Sequence, residues 1–70
     1  MSEEVTIHMT DFSGHFYKCN LGIFEDFSNR DFDKWICDRM QHECGMLPYD
    51  GGRINVRACS RVWYETRDVH

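Results

Sequence analysis

The chain has little of what interrupts a fold: one proline and five glycines in 70 residues, and no stretch rich in serine, glycine or proline. With no such stretch there is no linker to separate one half from another, so residues 1–70 read as one small domain. No apolar run comes near the ~18 residues a membrane span needs, which predicts no membrane partner. Positive charge is scarce too. Eight Lys and Arg face twelve Asp and Glu, a formal charge of −4, which disfavours a general polyanion binder or a membrane-surface peptide. The opening Met1-Ser2-Glu3-Glu4 lacks the basic-then-apolar order of a secretory signal, which predicts a cytoplasmic location.

Also missing is any CxxC pair among the four cysteines at 19, 37, 44 and 59. Structural zinc usually draws its ligands in such close pairs, because a tight turn presents both thiolates to one tetrahedral ion. His42 adds a Cys37-x4-His42-x-Cys44 grouping, but on a helix the imidazole lies far round from both thiols. Cys19, Cys37 and Cys44 are therefore expected as small core hydrophobes, with a zinc-stabilised interaction module as an alternative. No metal site is assigned. No nucleophile-and-base motif is present, so the expectation is a protein that is not an enzyme, with no catalytic residue and no cofactor. The histidines His8, His15, His42 and His70 form no ligand pair, and His15 is expected to face Asp11 across a hairpin.

What is there is periodicity. Val5, Ile7 and Met9 alternate with Thr6, His8 and Thr10, the two-residue period of a strand with one buried face. Tyr17, Cys19, Leu21 and Ile23 alternate likewise. Placing both apolar sets on one face requires pairing Met9 with Tyr17 and Ile7 with Cys19, which leaves a loop of Phe12-Ser13-Gly14 with Gly14 left-handed. Ser28, Asp31, Phe27 and Phe32 have the spacing of an N-cap, a capping box and a hydrophobic staple opening a helix over 29–44. Its core arc is expected to carry Phe32, Trp35, Ile36, Cys37, Met40 and Cys44. Gly45 then ends it, Met46 reaches back to Met40, and Pro48 opens a turn that runs to Gly52. From Arg53 to Arg67 apolar residues alternate again, which predicts a long third strand with a bulge near Cys59-Ser60. The fold class expected is α+β, in the order β-β-α-β: a three-stranded, mainly antiparallel sheet with the helix across one face.

Charge is unevenly spread along the chain. The first fifty residues hold ten acids against four bases, and the last twenty hold four arginines against two acids. On an unbroken strand Arg53, Arg57, Arg61 and Trp63 share one face, a composition suited to a protein hot spot or to single-stranded nucleic acid. Glu25, Asp26 and Asp38 form an acidic surface around the start of the helix, suited to a basic groove, whereas Asp31 and Asp33 are accounted for by the helix dipole. These seven residues are the candidate partner-binding set. The strand-strand-helix-strand outline resembles that of several small viral proteins that block host transcription or immune complexes, a likeness of architecture only. The function expected is that of a protein-binding module, monomer or homodimer. It would act as a small inhibitor or adaptor of the viral or mobile-element type, docking on a larger nucleic-acid-handling complex. Direct single-stranded nucleic-acid binding through the Arg and Trp face is the alternative.

Overall fold

The alternation of Val5, Ile7 and Met9 becomes the centre of the molecule. All three are completely buried on β1 (Ser2–Asp11), and β1 is the middle strand of a three-stranded antiparallel sheet. Its neighbours are β2 (Phe16–Glu25) and β5 (Cys59–Asp68), so the spatial order is β2-β1-β5. The computed structural model describes residues 2–69, so His70 lies outside the described residues. Met9 pairs with Tyr17 and Ile7 with Cys19, the register expected from the sequence. The loop closes as the register requires: Asp11 N–H donates to His15 C=O at 3.1 Å, Gly14 N–H donates to Asp11 C=O, and Gly14 takes φ +88°.

Further along, the pairing slips. Thr6 faces Asn20 but Val5 faces Gly22, which leaves Leu21 as the extra residue of a bulge on β2. The Asn20 side-chain oxygen accepts the Gly22 N–H at 2.7 Å and stabilises this kink. A one-residue slip exchanges the faces of everything beyond it. Ile23, expected on the core face, is therefore 55% exposed, while Phe24 takes that face, its ring 5.2 Å from Phe27, and remains 39% exposed.

The helix, α1, covers Asn29–His42. The Asp31 carboxylate accepts both the Ser28 N–H (2.9 Å) and the Ser28 hydroxyl (3.0 Å), the exchange expected of the capping residues. Tyr64 of β5 comes between the two expected staple partners, its ring against Phe27 at 5.1 Å and against Phe32 at 5.1 Å, while its hydroxyl donates to Asn29. The inward face is rotated from the expected arc. Phe32, Trp35 and Ile36 pack on Ile7, Met9 and Leu47, but Cys37 and Met40 are exposed, and Arg39 continues the half-buried stripe instead. The Arg39 guanidinium lies 5.1 Å from the Trp35 ring centroid, so its alkyl stem covers apolar surface while its charge sits on the aromatic face. Cys44 lies beyond the helix end and is exposed, so neither it nor Cys37 is core filler.

After the helix the expected course is corrected. Cys44 (φ +54°) and Gly45 (φ +78°) turn the chain, and Met46 enters a short strand, β3 (Met46–Tyr49), where a turn running to Gly52 was expected. β3 pairs antiparallel with β4 (Gly52–Asn55) as a separate two-stranded hairpin, with Pro48 opposite Arg53. Pro48 is tolerated because each strand of an isolated hairpin has a free side that needs no N–H. Leu47 enters the core completely buried, so the hairpin closes one end of the interior. A 3₁₀ turn at Val56–Ala58 then leads into β5. The single long strand expected over 53–67 is thus a strand, a turn and another strand. The bulge expected near Cys59-Ser60 is present: Asp11 faces Cys59 and Thr10 faces Arg61, with Ser60 the extra residue and its hydroxyl on the Thr10 and Asp11 carbonyls. An α+β domain with a three-stranded antiparallel sheet and one helix is what forms, with two further strands in its order.

Candidate functional site

Breaking the third strand scatters the expected basic face. Arg53 lies on β4, Arg57 in the 3₁₀ turn beside Met40, Cys44 and Val56, and only Arg61 and Trp63 remain together on β5. Those two do meet: the Arg61 guanidinium lies 4.4 Å from the Trp63 ring centroid. Trp63 is also stacked with His8 at 5.4 Å, and its N–H donates to Glu65 at 3.3 Å. They sit on the sheet face opposite the helix, with Phe16 and Lys18 of β2 on that same face, and Glu4 pairs there with Arg67 at 2.6 Å. This face mixes both signs of charge, and its largest ring is already engaged by its neighbours.

The acidic set fares differently. β2 runs through its bulge at Leu21 to Phe24 and Glu25, and the helix brings Asp31, Lys34, Trp35 and Asp38 to the same groove. Those helix positions have the spacing i, i+3, i+4, i+7, a single stripe of one helix face. Strand and stripe, together with Phe27, line a groove of about 270 Å³. Leu21, Phe24, Phe27 and Trp35 provide an apolar floor, and Glu25, Asp31 and Asp38 bring three carboxylates against the single ammonium of Lys34. Glu25 and Asp38, two of the acids singled out from the sequence, both line this groove. Asp26 does not line the groove; it takes φ +56° in the turn between β2 and the helix, a conformation Asp tolerates.

The sequence reading missed Leu21, Phe24, Phe27, Lys34 and Trp35 as members of this groove, and gave Asp31 to the cap and the helix dipole. Asp31 does both. Accepting two hydrogen bonds from Ser28 lowers its carboxyl pKa, so the carboxylate that caps the helix also stays charged at the groove wall. The signal for the stripe was in the spacing of 31, 34, 35 and 38; the signal for Phe24 was hidden by the bulge.

The thiols do not converge. Cys19 on β2 and Cys59 at the start of β5 are half-buried, and burial pushes both thiols up in pKa. Cys37 and Cys44 are exposed on the helix and just past its end. Among the described residues no three His, Cys, Asp or Glu side chains gather closely enough to chelate an ion. No helix of the described residues is long and apolar enough to cross a membrane. Comparison with known proteins finds no matching family model, no matching curated protein and no matching solved structure, so the groove and its chemistry stand on this chain's own residues.

Proposed function

We propose that this chain is a non-enzymatic binding module, an inhibitor or adaptor that docks on a larger protein through the groove between β2 and the helix. The observation that carries the reading is the meeting of an apolar floor with an excess of carboxylates: Leu21, Phe24, Phe27 and Trp35 below, and Glu25, Asp31 and Asp38 around them. Aromatic anchors supply contact area at small entropic cost, and a rim of one sign selects the partner and speeds encounter. The complement is a basic, partly apolar surface. Proteins that handle nucleic acid carry such surfaces, because they neutralise phosphates with Lys and Arg. A partner of that class therefore suits the groove better than nucleic acid itself, which the carboxylates would repel.

Quantitative capture from cognate cell extract, compared across three baits, tests the reading. The wild-type chain and the Arg57→Glu variant are expected to retain the same partner. The double variant Glu25→Lys, Asp38→Lys is expected to lose it while its circular dichroism stays unchanged. Equal capture by the groove variant, or loss only with Arg57→Glu, would overturn the assignment of the groove.

A further inference from the structure

β2 is an edge strand, and its outer side is covered over only a fraction of its length. At one end the β3–β4 hairpin lies against it: Asp50 N–H donates to Lys18 C=O at 2.9 Å, and the Tyr49 ring packs on Tyr17 at 4.8 Å. From Cys19 to Glu25, among the described residues, no strand pairs with that side. Since the Lys18 carbonyl points outward, strand alternation turns the Asn20 N–H and C=O the same way, past the end of the hairpin. This uncovered stretch is the same one whose Leu21, Phe24 and Glu25 wall the groove. An unpaired main chain, an apolar trough beside it and a carboxylate rim therefore occupy one place.

We infer that the occupant of the groove is an extended peptide segment that alternates apolar with Lys or Arg residues, pairing its main chain with the uncovered half of β2. The inference rests on the groove reading above and adds the mode of recognition. A strand added to a sheet edge draws affinity from main-chain hydrogen bonds and specificity from the pockets that receive alternate side chains. Side chains on the inward face of the added strand enter the trough beside Leu21 and Trp35. Alternation turns the cationic side chains to the opposite face, where the register of Glu25 with Ser2 places that carboxylate, while Asp31 and Asp38 act on them through the field of the groove. The charge balance selects the sign: three carboxylates and one ammonium line the groove, so an acidic segment of the same shape is repelled.

Three synthetic probes test it against the full chain carrying Trp63→Phe, so that fluorescence reports Trp35 alone. The first is a short peptide alternating valine with lysine, the second replaces lysine by glutamate, and the third is the valine–lysine peptide with alternate backbone nitrogens methylated. The valine–lysine peptide is expected to change Trp35 emission and to slow hydrogen exchange of the Asn20 amide. Its acidic counterpart is expected to do neither. Methylation, which removes the main-chain donors on one side, is expected to weaken binding by about tenfold or more. Equal binding of the methylated peptide, with Asn20 exchange unchanged, would overturn edge pairing while leaving the groove as a docking site. No response of Trp35 or Asn20 to the valine–lysine peptide would overturn the inference outright, and loss of partner capture by the groove variant would still stand as a separate result.

Discussion

Asp11 carries more polar contacts than any other side chain at the hairpin end. Its Oδ1 accepts the N–H groups of Ser13 (2.8 Å) and His15 (2.9 Å), its Oδ2 accepts the Tyr17 hydroxyl (2.8 Å), and the His15 imidazole lies 3.3 Å away as the sequence pairing implied. The His15 N–H, the Tyr17 hydroxyl and the Ser13 N–H hold its carboxyl down at about 2 from an ordinary 3.8, and the same bond from Tyr17 raises the phenol. A folded pKa below the unfolded one means that the stabilisation is present above about 4 and is lost as pH falls through about 2. Asp11→Asn is therefore expected to melt at lower temperature than the wild type at neutral pH. The gap should narrow between pH 4 and 2, as thermal denaturation followed by circular dichroism would show. A gap that stays constant through that window would mean that Asp11 acts through packing rather than charge.

At the scale of elements, legibility depended on whether a local pattern had only one structural solution. The β1–β2 hairpin was legible because two alternating strands and a glycine at position 14 permit one register that buries both apolar sets. The helix start was legible because Ser28 and Asp31 satisfy backbone and hydroxyl donors at fixed spacing. The third strand was not. Parity is preserved when a 3₁₀ turn and a bulge fall between two strands, so Ile54, Val56, Val62 and Tyr64 look continuous although the chain changes sheet between them. The β2 bulge was missed for a related reason, although Asn20 and Gly22 mark it: an isolated glycine within a strand pattern signals a local kink. The turn from helix into β3 rests on Gly45, whose φ of +78° and whose close approach to Val56 disfavour a larger residue. A Cβ there would lie 3.3 Å from the Val56 side chain. Gly45→Ala is expected to cost about 1–2 kcal/mol, read as a lower urea midpoint with unchanged slope.

Over the whole molecule, only Val5, Ile7, Met9 and Leu47 are fully buried hydrophobic side chains among the described residues, three from the central strand and one from the separate hairpin. Leu47 thereby ties the β3–β4 hairpin to the sheet. Leu47→Ala is expected to cost about 2–5 kcal/mol, a large share of what a domain of this size has to spare. The expected observation is a protein that is substantially unfolded, or that unfolds at much lower urea, by circular dichroism. A loss under about 1 kcal/mol would show that the hairpin packs independently of the core. The candidate site was half legible for the same global reason. Its acids announced themselves by composition, but its floor exists only because the bulge, the rotated helix face and the turn at Asp26 bring distant residues together.

That hairpin has one more effect. By lying across β2 at Lys18 it sets a stop at one end of the edge, and the sharp turn at Asp26 sets another. Between them lie the seven residues from Cys19 to Glu25, roughly 23 Å of extended chain. A guest that docks there meets a slot of fixed length, which admits one short run of partner sequence and discourages the sheet from growing without limit.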